Sequence, residues 1–320
     1  MKLVRSLVFA AFAICAGTAS AAYPEKPIKV IVPFPAGQTT DIISRAVADE
    51  LAKVVDQPIY IDNKGGAGGI IGVEAAKRSP ADGYTVLIAS SGPLAINPSL
   101  YKDIPYDTMA DFEPVAMIID VPQFLVTRSD FPARTLPELI EYVKERPGKL
   151  NYASGGVGLT NHLTMEMLKN RTDMDIRHIP YRGATAALSG LIGGDTDMMF
   201  ESGPAIMPHV EAGRLNVLAV GSRKGSAVFP DVKSVHDLGV EGFDAATWMA
   251  VMVPKGTPQE VIETLNKSIN QVIALPAMQE RFNALTASAH IASADETRQF
   301  LERELALWKE TIIKGNIRAE

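Results

Sequence analysis

The sequence predicts an α/β protein of two domains, and three observations carry that expectation. First, the stretch from Ile28 to Arg45 reads as strand, tight turn and helix. Its apolar run around Val30 and Val32 has strand composition, and Pro33 and Pro35 end it because neither can donate to a sheet ladder. Helical periodicity then runs through Ile42, Ile43, Ala46, Val47 and Leu51. Second, the same device recurs at 150–168, where a short strand, a glycine-rich turn and a helix follow one another. Third, two apolar segments, 123–127 and 247–253, have the character of strands crossing between halves. A chain of 320 residues is long enough for two cores.

The first helix is expected to run to about Val55, with the next strand over 58–61. A glycine-dense loop follows, Asn63-Lys64-Gly65-Gly66-Ala67-Gly68-Gly69. It matches neither G-x-G-x-x-G nor a phosphate loop ending in Gly-Lys-Ser/Thr. It reads as a flexible turn before a helix over 70–78, with a cleft rim as the second possibility. A strand over 84–89 ends in Ser90-Ser91-Gly92-Pro93. Small hydroxyls at a strand's C-terminal end stand where open α/β sheets place ligand contacts, so Ser91 is a candidate. Residues 97–105 read as loop, and 115–119 and 123–127 as separate strands. Thr135 with Glu138, Thr257 with Glu260, and Ser293 with Glu296 have capping-box spacing at three later helix starts. Between them, strands are expected at 150–153, 175–179, 198–200, 215–220 and 247–253, with helices interleaved, and the last helix stops at Gly315.

The N-terminus is expected to be an export signal. Lys2 and Arg5 precede the apolar run 7–14, which is too short to span a bilayer, and Ala19-Ser20-Ala21 supplies small residues for cleavage after Ala21. The only cysteine, Cys15, lies inside that leader, so the mature chain has no thiol chemistry. Without Lys2 and Arg5 it carries 29 basic and 37 acidic residues, a net charge of −8. That balance argues against nucleic acid or an anionic membrane surface as partner.

The opening turn is the primary candidate site. A strand feeding a helix through a glycine turn leaves first-turn N–H groups unpaired, and the helix dipole favours an anion there. Phe34, Ala36, Gly37, Gln38, Thr39, Thr40 and Asp41 form this turn, and a carboxylate is the expected guest. Asp41 reads as a brace or cap, because a carboxylate repels a carboxylate. In the second turn, Ser154, Gly155, Gly158, Thr160 and His162 are the candidates. Aligning Gly37 with Gly158 sets Thr39 on Thr160 and Asp41 on His162, so the two turns could face one another across a cleft. Arg182 could pair a second carboxylate, and Asp41 or Asp197 an ammonium.

Enzyme motifs fail. There is no G-x-S-x-G elbow, and the five histidines have no metal-ligand spacing, so no cofactor or metal is expected. A Ser154–His162–Asp197 triad can be written, but nothing in the spacing supports it.

The chain resembles the solute-binding receptors of tripartite tricarboxylate transporters, the Bordetella uptake gene (Bug) family. The resemblance rests on Tyr23-Pro24-Glu25-Lys26-Pro27-Ile28, Val32-Pro33-Phe34-Pro35-Ala36-Gly37, Asp41 with Arg45, and the loop from Asn63 to Gly69. It continues through Asp82-Gly83-Tyr84-Thr85, Asn151-Tyr152-Ala153-Ser154-Gly155-Gly156 with Gly158, and Tyr181-Arg182-Gly183. It implies a two-domain periplasmic-binding-protein fold, a type II-like Venus flytrap with two crossing strands and a ligand cleft between domains. It implies a carboxylate held, partly through water, between the loops 36–41 and 154–162, and membrane subunits as the transport partner. One departure stands out: the family usually has a second glycine after Gly37, and here Gln38 adds a side chain.

The expected function is therefore capture of a small organic acid in the periplasm, by a monomer that delivers it to membrane transporter subunits. The acid could be a mono-, di- or tricarboxylate, or an amino acid. The expected segments are a leader over 1–21, a first domain from 22–123 and 248–320, and a second domain from 124–247. The alternatives are a periplasmic hydrolase using Ser154 or Ser91, and a sensor that presents its ligand without transport.

Overall fold

The computed structural model describes residues 23–226 and 228–318. The expected leader and its cleavage point lie outside them. The elements are β1 (Ile28–Val32), α1 (Thr39–Val55), β2 (Ile59–Asn63), α2 (Ile70–Lys77), β3 (Thr85–Ser90), β4 (Phe112–Arg128), α3 (Leu136–Lys144) and β5 (Leu150–Ser154). There follow α4 (Thr160–Thr172), β6 (Ile176–Pro180), α5 (Ala184–Gly193), β7 (Met198–Ser202), α6 (Gly203–Glu211), β8 (Leu215–Val220) and β9 (Ala246–Pro254). The chain closes with α7 (Gln259–Ile273), α8 (Pro276–Ala284), β10 (Ser288–Ala289) and α9 (Ala294–Lys314).

The strands join in the order β2-β1-β3-β9-β4-β7-β5-β6, with β8 and β10 also pairing β4. Parallel pairs lie at both ends, β1 with β2 and β3, and β5 with β6 and β7. This is the α/β pattern the alternation predicts, arranged as two domains sharing one spine. β4 is that spine. From Phe112 to Pro122 it pairs antiparallel with β9, and from Gln123 to Arg128 it pairs with β7 and β8. The chain crosses back near Gly221, whose N–H donates to the Gln123 carbonyl (2.7 Å) and whose carbonyl accepts from Ala245 (3.0 Å). Strand runs such as Val30 to Val32 and Val115 to Ile119 are buried on both faces, as helices on either side of a sheet require.

Three local expectations are corrected. β4 is one strand of 17 residues rather than two. Asp120-Val121-Pro122 lies between the two expected strands, but Pro122 stands at the changeover from β9 to β7 and β8, and Pro114 beside a register shift, so a missing N–H disturbs the ladder little. Of the residues 97–105 expected as loop, Asn97–Leu100 form a short helix, entered from a wide helical turn over Gly92–Ile96. Prolines at both helical starts, Pro93 and Pro98, fit where an N–H has no partner anyway. The capping box at Thr257 does not form: its hydroxyl donates back to the Pro254 carbonyl (2.8 Å), and α7 begins uncapped. The box at Ser293 and Glu296 is complete, whereas Thr135 caps α3 while Glu138 accepts from Arg134 instead.

Candidate functional site

The two strand–turn–helix units are built alike. Gly37 and Gly158 both adopt left-handed backbone, φ +86° and +79°, which glycine takes without steric cost. The residue after each, Gln38 or Leu159, is extended, and each helix then starts on a threonine, Thr39 or Thr160. In both units the glycine N–H donates to the side chain four residues on: Gly37 to Asp41 Oδ2 (2.8 Å) and Gly158 to His162 Nδ1 (3.0 Å). Neither helix is capped by the side chain of its N-cap residue. First-turn N–H groups thus stand at the positive end of each helix, those of Thr160 and Asn161 in α4, where the His162 N–H donates to Asn161 Oδ1 (2.9 Å).

The braces differ in charge. Asp41 is buried and also accepts from Asn63 Nδ2 (2.9 Å) and Arg45 Nε (3.0 Å). Burial works to raise its carboxyl, but Arg45, the Gly37 N–H and Asn63 outweigh it and hold it below the usual range. Asn63 also donates to the Phe34 carbonyl (3.0 Å), which ties the turn to β2. His162 is buried in a ring stack instead. Its ring lies 3.9 Å from His178, which lies 4.8 Å from Tyr152. Burial, aided by neighbouring positive charge, holds His162 down to about 3 and His178 to about 4, so both are neutral at physiological pH. A neutral His162 is what an acceptor Nδ1 requires.

A cavity of about 290 Å³ opens between the units. Of the residues expected from sequence, Phe34, Thr39, Thr40, Ser91, Gly158 and Thr160 line it. Ser91 is fully buried and its hydroxyl has no partner among the described residues, a costly arrangement unless something in the cavity supplies one. The other nine candidates lie outside the lining. Ala36, Gly37 and Gln38 are exposed on the first turn, and Asp41 and His162 support the turns from beneath. Gly155 packs against the backbone at Gly183 and Ala184, while Arg182 is exposed nearby. Asp197 accepts from the Asn151 N–H (2.8 Å), at the opposite end of β5 from the turn. Ser154 is fully buried and pairs with His178 Nε2 (2.6 Å), not with His162.

Sequence reading missed the cavity floor. Ile119 and Val121 of β4 and Thr247 and Met249 of β9 face it, and their apolar runs look like ordinary core. It also missed Leu100 and Asn97, because 97–105 was expected to be loop. His178 carried no signal, since only the fold brings it onto His162. Among the described residues no cluster of side chains could hold a metal, and no helix is long and apolar enough to cross a membrane.

Residues 43–317 match the family described as tripartite tricarboxylate transporter family receptor. The chain is 40% identical over 306 residues to protein BugT of Bordetella pertussis, covering 95% of this chain and 94% of that one. Among solved structures, a Rhodopseudomonas palustris protein with adipate is 31% identical, with TM-score 0.76 over 93% of this chain and 99% of that one. MatC from Rhodopseudomonas palustris with bound malate is 27% identical, with TM-score 0.72 over 91% and 100%. A ligand-free solute-binding protein from Polaromonas is 27% identical and superposes with TM-score 0.84 over 92% and 100%. The chain belongs to the tripartite tricarboxylate transporter receptor family, whose members are periplasmic solute-binding receptors rather than enzymes.

Proposed function

We propose that this receptor captures a small organic carboxylate between its two glycine turns in the periplasm and delivers it to membrane transporter subunits. One observation carries the reading: two uncapped helix N-termini, each set by a left-handed glycine and a brace four residues on, border one cavity. The Thr39, Thr40 and Thr160 hydroxyls and the unpartnered Ser91 hydroxyl complete a donor set suited to a carboxylate. The adipate and malate of the solved relatives support that ligand class. A protein of net negative charge can hold an acid in this way, because the attraction is local to the helix ends.

The mechanism is closure. Residues 22–123 with 248–320 form one jaw and 124–247 the other, hinged on β4 and the β8–β9 return. Ligand bound to both turns favours the closed arrangement, which excludes water and strengthens the same bonds. That arrangement is what the membrane subunits recognise. A thermal-shift screen over carboxylates tests the reading: at least one acid raises the melting temperature, and none doing so refutes it. Intact mass of periplasmic protein tests export, which fails if Met1 and Lys2 remain.

A further inference from the structure

The hinge strands carry two unlike surfaces. Successive strand residues point to opposite faces. Ile119, Val121, Thr247 and Met249 line the carboxylate cavity, while Asp120, Ala246 and Trp248 line a second cavity of about 210 Å³ behind the strands. The rear cavity gathers the charged and titratable groups Asp120, Lys224, Asp244, His290, Arg303 and Glu304. Under the jaw assignment proposed above, Lys224 and Asp244 belong to the second jaw and the other four to the first. The strands lie between the two cavities, so a rotation about them that parts the jaws in front draws them together behind.

Glu304 sits on α9 and reaches the hinge. Its Oε2 accepts from the indole N–H of Trp308 on the same helix (2.9 Å) and from that of Trp248 on β9 (2.6 Å). Trp248 is buried, and its neighbours Thr247 and Met249 line the front cavity. Asp120 accepts from Lys224 Nζ (2.8 Å) and lies 2.9 Å from His290 Nδ1, so both of those partners are taken. Asp244 accepts the backbone N–H of Arg223 (2.9 Å), and among the described residues neither it nor Glu304 forms an ion pair. Arg303 moves with Glu304 on α9, so its effect on Glu304 is the same in either arrangement of the jaws. Burial raises the Glu304 carboxyl to about 7 despite the two indoles, and Asp244 and Asp120 add to the rise.

We propose that Glu304 is a positioning residue of the hinge whose loss of a proton favours the closed cleft, so that capture of the acid in front releases a proton behind. The inference rests on the closure reading above and extends it. As the front opens, Asp244 of the second jaw approaches Glu304 and Asp120 of the first. Lys224 travels with Asp244, but its charge is already offset by Asp120. The balance at Glu304 is then repulsion, which an ionised carboxylate feels and a protonated one does not. Opening therefore holds the proton on Glu304, and closing lets it go. Ligand binding and proton release are linked through closure, and each shifts the other by the same factor. Glu304 lines only the rear cavity, so it acts through Trp248 and the hinge rather than on the ligand.

Calorimetric titration of the mature protein with the tightest acid of the screen, at about pH 7 in buffers of different ionisation enthalpy, counts the proton directly. Wild type is expected to release a fraction of a proton on binding, and to bind roughly threefold more tightly at about pH 8 than at about pH 6. Glu304→Gln keeps an oxygen for the indoles and is expected to lose both effects, with circular dichroism confirming its fold. Asp244→Asn, at an exposed position outside the front lining, is expected to reduce both, and it carries the test if Glu304→Gln does not fold. Wild type that binds without releasing a proton overturns the inference, as does release at the wild-type level in the folded variants. Small-angle scattering separates this from failure of closure. A protein that contracts on binding yet releases no proton overturns the proton coupling and leaves closure standing, whereas binding without contraction overturns both. Failure of every carboxylate to bind overturns the carboxylate reading and the coupling with it.

Discussion

Gly158→Ala separates the cost of the turn's backbone from the cost of closure. Two effects of the added methyl act in different states. The left-handed φ of +79° strains an alanine by roughly 1–2 kcal/mol whether the cleft is open or closed. The methyl would also lie 2.2 Å from Leu100 Cδ2, far inside contact distance. Leu100 lies in the segment proposed as the opposite jaw and already meets Gly158 in this structure, so under the proposed closure this clash is relieved only when the jaws part. Leu100 also lines the cavity, and turning aside would take it into the ligand's space. Overpacking of this kind costs about 1–3 kcal/mol, a loss of about 5- to 150-fold in affinity. Gly37→Ala is the matched control: its φ is +86°, and its methyl would meet nothing within 4 Å. Both variants should therefore melt lower than wild type by similar amounts, while Gly158→Ala alone loses affinity. Adding Leu100→Ala to Gly158→Ala should restore binding but not the strained turn. The assay is calorimetric titration with the tightest acid from the screen, alongside thermal melts. If folded Gly158→Ala binds like wild type, the Gly158–Leu100 approach is no part of the bound state and the closure argument fails.

Three further outcomes are expected. Thr160→Val should weaken carboxylate binding roughly ten- to a hundredfold with little change in melting, because a hydrogen bond to a charged group contributes about 1.5–3 kcal/mol; calorimetry checks it. His162 and His178 have depressed values, about 3 and 4, so their stabilising effect is present above the ordinary imidazole range and is lost as pH falls through those values; His162→Asn, which keeps an acceptor for Gly158, should shift the acid side of a melting-versus-pH curve lower. Glu304 behaves oppositely: burial raises it to about 7 despite the indole N–H groups of Trp248 (2.6 Å) and Trp308 (2.9 Å), so stability present below about 4.5 is lost as pH rises to 7, and Glu304→Gln should flatten that slope.

Much of the architecture was legible because its signals are local. Prolines at 33 and 35, glycines at 37 and 158, and the apolar periodicity between them punctuate the chain wherever it folds. The equivalence of the two turns was legible too: the register that sets Gly37 on Gly158 also sets Asp41 on His162, and both pairs carry the same hydrogen bond. The cavity floor was not legible. Ile119 and Met249 differ from core residues only in which face of β4 or β9 they occupy, and that follows from pairing between segments far apart in sequence. The Ser154–His178 pair was hidden for the same reason: β5 and β6 must pair before Tyr152 meets His178. The expected split of β4 at 120–122 misled because the effect of Pro122 on a strand depends on pairing changes that only the partner strands create.

The unlike braces follow from what an anion site tolerates. A carboxylate beneath a helix N-terminus repels the anion that the terminus attracts, so Asp41 suits its place only because Arg45 and Asn63 spread its charge. Among the described residues the second turn has no such cation free. Lys169, the nearest on α4, is committed to Glu166 (2.7 Å), which also accepts from Tyr152 OH. An acid at position 162 would add uncompensated negative charge beneath Thr160. Imidazole avoids this by accepting the glycine N–H while carrying no charge, and the stack of His178 and Tyr152 keeps it neutral by burial. Both braces hold the glycine at the same geometry, yet together they leave the cleft with one compensated acid below it and no ionised side chain on its walls. The local field in the cavity is then set mainly by the two helix ends, which is why a protein with an excess of acids can still present a cleft suited to an anion.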